Sequence, residues 1–374
     1  MSLIWWGMGF TGWSRLLGRN RFQVAPRHWA ALPFITLSTL RNSSLGLLQT
    51  ALLGRHIRQT KLVAPPLFII GHWRTGTTLL HELMSLDDRY TSPTTYDCIF
   101  PQHFLLTRGY ATRLYAWAAP KQRPMDNMRL GWDTPQEDEF ALCNLGLPSP
   151  YLTIAFPNRA PQFSEYLDLQ GLAPAKLNVW REVFLTFLRG ISYRTGKRIV
   201  LKSPTHSYRI KALLEIFPEA RFIHIVRNPY QVIPSTLHLW HTLYSSYGLQ
   251  DPDFRGLEDQ VFANFERLYQ AIEDARPGMR PEQFQEVRYE DLLRDPAGEM
   301  KRIYDRLGLG DFAPVRPHVE AYFAQNAGYK RNEYRRNPEI ETEINSRFDR
   351  LLHRFGYEAP QAGEERPASP GQAN

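Results

Sequence analysis

The clearest pattern along the chain is a set of short apolar runs, each closed by a polar loop and followed by residues that turn apolar every third or fourth position. The first run is Leu67-Phe68-Ile69-Ile70, entered through the stiff Pro65-Pro66 pair. A glycine-bearing loop follows, then a helical stretch carrying Leu79, Leu80, Leu83 and Met84. Residues 198–201, 221–226 and 286–289 read as further strands. Helices are expected over 77–85, 176–189, 208–217, 230–246, 257–275 and 291–307. Short apolar strands alternating with helices predict an α/β fold of three layers, with a mostly parallel central sheet and helices on both faces. Residues 91–161 break the pattern with aromatics and prolines, and are expected as loops and helices inserted between core strands. Their acidic triplet Glu137-Asp138-Glu139 reads as a solvated helix turn.

The two ends differ from this middle. Residues 1–13 hold Trp5, Trp6 and Trp13 among glycines, without the basic leader, apolar run and cleavage site of a signal peptide. Two uncharged runs follow, 28–40 and 42–54, separated by Arg41. Each is too short to span a bilayer. The second puts Leu45, Leu48 and Leu52 on one helical face, a pattern that suits an amphipathic helix on a membrane, a lid over the substrate entrance or an ordinary helix packed on the core. The expected organisation is a helical segment over 1–60, a main domain over 61–357 and a disordered tail over 358–374, where apolar periodicity stops.

Composition narrows the function only a little. Forty-five Lys and Arg against 38 Asp and Glu give a formal charge of +7, which suits a polyanionic ligand, a nucleic acid or an acidic membrane. No zinc-finger spacing, repeat or long basic run supports nucleic acid. Cys98 and Cys143 belong to no CxxC pair, so they read as buried free thiols in a reducing compartment.

The loop Gly71-His72-Trp73-Arg74-Thr75-Gly76-Thr77-Thr78 keeps the glycine spacing of the nucleotide-triphosphate loop GxxxxGK[ST], but Thr77 stands where that loop has its lysine. Backbone N–H groups at the start of the following helix can still cradle an anion, with hydroxyls from Thr77 and Thr78 and a forked grip from Arg74. The fold is therefore P-loop-like without the lysine of ATP chemistry. A second grip is offered by Arg227, at the carboxyl end of the strand 221–226, and by Ser235, two turns into a helix that Pro229 can start. Two separate phosphate grips point to a nucleotide phosphorylated at two positions.

These segments together resemble the sulfotransferase family, and in particular its bacterial branch. The PRSGTT-like loop reads His72-Trp73-Arg74-Thr75-Gly76-Thr77-Thr78, the KSPTH-like loop Lys202-Ser203-Pro204-Thr205-His206, and the strand end Arg227-Asn228-Pro229; Arg288-Tyr289-Glu290-Asp291-Leu292 is similar to the family's YEDL segment. The resemblance implies sulfonyl transfer from 3′-phosphoadenosine 5′-phosphosulfate (PAPS) to a hydroxyl, or less often an amine, with no metal required. It implies that Arg74, Thr75, Gly76, Thr77 and Thr78 hold the 5′-phosphosulfate, Arg227 and Ser235 the 3′-phosphate, and that Tyr289 lies near the adenine. Leu79 stands where cytosolic members often carry an adenine-stacking tryptophan. Residues 327–331 are the nearest counterpart of their late glycine- and lysine-containing loop.

Sulfuryl transfer needs cations where charge develops and a base for the acceptor proton. Arg74 and Lys202 are the expected cations and His206 the first candidate base, with Glu137, Asp138 and Glu139 as acidic alternatives. His81 and Glu82 read as packing and helix-surface residues. Tyr96, Phe100, Phe104, Trp132, Tyr151, Phe156 and Trp240 supply apolar surface for a lipid, sterol, phenol or stacked carbohydrate. The N-terminal segment favours an amphiphilic or lipid-linked acceptor, with contact to a membrane surface through residues 1–55. The expected location is cytoplasmic, with a peripheral position on the inner face of the membrane as its variant. A P-loop nucleotide kinase or NTPase, and a noncatalytic nucleotide- or lipid-binding protein, stay open as alternatives.

Overall fold

The structure, a computed structural model, describes residues 4–114, 131–159, 161–326 and 336–359. Five parallel strands, β1 (Leu67–Ile70), β2 (Tyr90–Thr91), β3 (Arg198–Lys202), β4 (Arg221–Val226) and β5 (Phe284–Arg288), form one sheet in the order β2-β3-β1-β4-β5. The central strand β1 is buried at every residue, as a parallel strand covered on both faces must be. Its side chains alternate between two cores. Phe68 and Ile70 join Ile199, Leu201, Phe222 and Val226 on one face, where the helices Pro174–Thr195, Pro229–Tyr247 and Leu257–Ala275 pack. Leu67 and Ile69 join Val200, Ile223, Ile225 and Val287 on the other, under the helices Thr77–Met84 and Pro296–Arg306. This is the expected three-layer α/β arrangement.

The N-terminus departs from the expectation of two short runs. Residues Leu32–Gln59 form one continuous helix that passes through Arg41, which is exposed and so interrupts hydropathy without interrupting the helix. Trp5 and Trp13 are buried in the main core; their indole N–H groups donate to the Tyr247 carbonyl at 2.7 Å and to Thr36 Oγ1 at 3.0 Å. The N-terminal segment is helical and shares its core with the rest. Among the described residues no helix is long and apolar enough to cross a membrane. Both cysteines are free and buried. The expected tail lies outside the described residues from position 360 onward, as does the candidate loop 327–331.

Candidate active site

All five strands run in one direction, so the segments that follow β1, β3, β4 and β5 emerge at the same edge of the sheet, where open α/β sheets bind ligands. The loop after β1 is tied to the turn after β3 through Ser207, whose hydroxyl accepts from Gly71 N at 2.8 Å and donates to Gly71 O at 3.2 Å. Gly76 takes φ 99°, and a Cβ there would fall 2.3 Å from the Tyr289 ring, so only glycine allows the loop to close on that ring. Arg74 is a non-glycine residue at φ 71°, a conformation that persists only when its surroundings hold it. Arg227 does so by donating to the Arg74 carbonyl at 3.0 Å.

Arg227 is itself aimed by two neighbours: Gln231, which accepts at 2.9 Å, and the Tyr289 ring, whose centroid lies 4.4 Å from the guanidinium carbon. Asn228 caps the helix that Pro229 begins, accepting from Tyr230 N, and that helix delivers Ser235 beside the loop. Arg74 Nε then donates to Ser235 Oγ at 2.8 Å. Tyr289, Arg227, Arg74 and Ser235 form one continuous chain of contacts, so the two grips read separately from sequence adjoin each other. Thr77 starts the helix Thr77–Met84 with Thr78 half-buried beside it. Thr75 differs from the others: it is buried and its hydroxyl donates to the His72 carbonyl at 2.7 Å, which staples the loop from inside.

The acidic triplet corrects the sequence reading most. Glu137, Asp138 and Glu139 are buried, not solvated, and each meets one basic side chain at the end of β3 or in the segment after it. Lys202 Nζ lies 2.6 Å from Glu137, His206 Nε2 lies 2.8 Å from Asp138, and Arg209 forks onto Glu139. Ser203 and Thr205 donate to Asp138 and Glu139 at 2.9 Å and 3.0 Å. Buried charges are tolerated when they are paired and bonded in this way. The coupling holds Asp138 below the usual carboxylate range against the opposing effect of burial, through the His206 charge and the bonds from His206 and Ser203.

His206 is wholly enclosed, with Phe68 edge-on at 5.2 Å and Phe184 at 5.9 Å between ring centroids. Behind these rings its Nε2 is bonded to Asp138 at 2.8 Å. Glu137 is placed differently. Besides Lys202 it takes a hydrogen bond from the Tyr151 hydroxyl at 2.6 Å, and that same hydroxyl accepts from Trp73 of the loop at 3.0 Å. Burial, and then the Glu137 carboxylate, raise the Tyr151 phenol well above its ordinary value, so it stays a donor. Sequence reading named Glu137 only as one acid among three. The signal it left was charge order: three consecutive acids facing Lys202, His206 and Arg209 in the same sequence order.

Of the seven aromatics offered for an acceptor pocket, Tyr151 and Trp240 adjoin the loop through Trp73, whose ring lies 5.5 Å from Trp240 and 6.3 Å from Tyr151. Tyr96, Phe100 and Trp132 pack as a separate group. His81 has the packing role expected for it: burial lowers it to about 3, with the Lys202 charge acting in the same direction, and Nε2 is bonded to Ser92. A cavity of about 280 Å³ is lined by Phe104, another of the seven, with Gln49, Leu105, Val183 and Phe187, and by no residue of the loop.

A sequence profile described as the Sulfotransferase family matches residues 65–314, about two thirds of the chain. The chain belongs to the sulfotransferase family. A curated relative from Mycobacterium bovis, the omega-hydroxy-beta-dihydromenaquinone-9 sulfotransferase Stf3, is 48% identical over 370 residues, covering 98% of this chain and 95% of its own length. The protein of the same name from Mycobacterium tuberculosis matches equally. Among solved structures, sulfotransferase STF9 from Mycobacterium avium superposes with a TM-score of 0.67 at 20% identity over 87% of this chain and 85% of that one. For sulfotransferase STF1 from Mycobacterium tuberculosis the values are 0.52, 17%, 84% and 82%. These structural likenesses bear on the fold. This chain is a sulfotransferase enzyme.

Proposed function

We propose that this sulfotransferase takes its sulfonyl group from PAPS and passes it to the hydroxyl of a lipid acceptor of the prenylated-quinone class, with Glu137 receiving the acceptor proton. The observation that carries the donor assignment is the contact between Arg74 and Ser235 at 2.8 Å, because it joins two anion grips into one site for a nucleotide with two phosphate-bearing ends. In this reading the loop amides from Arg74 to Thr78, the Arg74 fork and the Thr77 and Thr78 hydroxyls hold the 5′-phosphosulfate. Arg227 and Ser235 hold the 3′-phosphate, and Tyr289 lies near the adenine. The acceptor oxygen bonds to sulfur as the bond from sulfur to the bridging phosphate oxygen breaks. The hydroxyl proton goes to Glu137, and 3′-phosphoadenosine 5′-phosphate (PAP) leaves with its charge facing Arg74 and Lys202.

Identity of 48% over nearly the whole length to an enzyme named for a hydroxylated menaquinone supports the acceptor class. The aromatic group of Trp73, Tyr151 and Trp240 beside the loop suits a quinone or prenyl chain. Such an acceptor places the enzyme at a membrane, on its cytoplasmic face, with residues 1–55 as the contacting segment. Calorimetry tests the donor assignment: PAP is expected to bind at least about tenfold more tightly than AMP, a difference of about 1.4 kcal/mol from the 3′-phosphate alone, and without magnesium. Binding of ATP in preference to PAP would return the site to the kinase or NTPase reading.

A further inference from the structure

The helix Leu32–Gln59 is packed inside out. Its buried side carries Ser38, Thr39, Asn42 and Gln49 beside Ile35 and Ile57. These polar groups are used: Asn42 donates to the Trp6 carbonyl at 2.7 Å and lies 3.2 Å from His103, and Gln49 accepts from Leu105 N at 2.9 Å. The outward side instead shows Phe34, Leu37, Leu40, Leu47, Leu48 and Leu52, between 44% and 74% exposed. At 100° per residue these six fall within one arc of about 140° and span about 27 Å along the axis. Soluble helices place such residues inward, and a contiguous apolar strip of this length marks an interaction surface.

The charge around the strip identifies what covers it. Residues 1–61 contain eight Arg and Lys and no Asp or Glu, so they carry +8, whereas the whole chain carries +7 and the remaining 313 residues therefore carry −1. The positive excess thus lies within the N-terminal segment that carries the strip. Arg41 and Arg55 lie on the same exposed arc, and Trp29, 60% exposed, stands just before the helix. A second copy of this chain docked on the strip would bring like charges together, which is costly. An anionic lipid surface satisfies both features at once: the leucines enter the acyl boundary and the arginines meet the headgroups.

We propose that the outward face of Leu32–Gln59 docks this enzyme flat on an anionic membrane, with Phe34, Leu37, Leu40, Leu47, Leu48 and Leu52 as the inserted side chains. The proposal rests on the reading that residues 1–55 touch a membrane, and adds which side chains do so and which lipids they select. It is independent of the sulfate chemistry. Deleting residues 1–55 is a poor test, because Trp5 and Trp13 would leave the core. Substituting Leu37, Leu47, Leu48 and Leu52 together with Gln changes exposed positions only.

The experiment is flotation of the full chain with phosphatidylglycerol-rich vesicles and with phosphatidylcholine vesicles, at low and high salt. The parent is expected to float with the anionic vesicles, more weakly at high salt, and the fourfold variant to lose at least about tenfold in partitioning while keeping its melting temperature and its PAP affinity. Equal flotation of parent and variant would overturn the role of the strip and leave a membrane contact elsewhere in residues 1–55. Absence of flotation by the parent would overturn both, as would light scattering that shows a dimer which the four substitutions dissociate. Equal binding to the two lipid types would contradict the selection of anionic lipid.

Discussion

Arg74→Ala is expected to lower kcat by about 10²–10³-fold with the acceptor KM little changed, since removing one preorganised donor from developing charge costs about 3–4 kcal/mol. The backbone geometry makes the effect specific. Arg74 sits at φ 71° with its carbonyl held by Arg227 and its guanidinium on Ser235, so the side chain is aimed before any ligand arrives. Preorganisation of that kind acts on the transition state and adds little to acceptor binding. Arg74→Lys should recover only part of the loss, because an ammonium cannot make the planar two-pronged contact of a guanidinium. Steady-state kinetics at saturating donor provide the check. A kcat within about twofold of the parent for Arg74→Ala would remove Arg74 from the chemistry.

Glu137→Gln is the second substitution with a large expected effect. The amide keeps the shape and can still accept from Tyr151, but it cannot take up the acceptor proton, so kcat is expected to fall by about 10²–10⁴-fold. Its partner behaves differently. Lys202→Ala leaves the Glu137 carboxylate buried without its 2.6 Å cation, and breaking such a pair costs about 3–5 kcal/mol of stability in addition to lost turnover. His206→Gln separates the two candidate bases. With His206 enclosed by Phe68 and Phe184 and bonded to Asp138, its replacement should lower the melting temperature while kcat at a permissive temperature stays within about tenfold of the parent. Kinetics paired with thermal melts read both effects. Loss of turnover in His206→Gln together with normal turnover in Glu137→Gln would reverse the assignment.

How far the sequence disclosed this molecule depended on whether the determining contacts were local. β1, β4 and the helix Leu257–Ala275 were legible to the residue, because short, mostly apolar runs and a regular three-to-four spacing need no distant partner. The two-residue strand β2 was not, since Tyr90 and Thr91 gain strand geometry only by pairing with Arg198 and Ile199. The expected helix 291–307 divides at Asp295, which caps a new helix beginning with Pro296. Within the site, the loop, Lys202, Arg227 and Ser235 were legible as motif residues, and the structure gathers Arg74, Arg227, Ser235 and Tyr289 into one set of contacts.

The acidic triplet escaped because its partners stand 65, 68 and 70 residues away. Local reading gives three adjacent acids to solvent. His206 drew attention for the opposite reason: a histidine in a turn after a strand looks accessible until Phe68 and Phe184 are seen to close over it. The N-terminal helix misled in a third way. Its leucines read as the packing face or the membrane face with equal ease, and only the burial of Asn42 and Gln49 tells which side is inward.

The central claim, transfer of sulfate from a doubly phosphorylated nucleotide to a lipid hydroxyl, is tested most directly by following labelled sulfate. PAPS labelled with ³⁵S is supplied to the enzyme with vesicles holding either an ω-hydroxylated prenyl quinone or the same quinone without the hydroxyl. Label is predicted to enter the lipid fraction only with the hydroxylated quinone, with one PAP released for each sulfate transferred. PAP release at the same rate from both vesicle types, with no label in lipid, would contradict it.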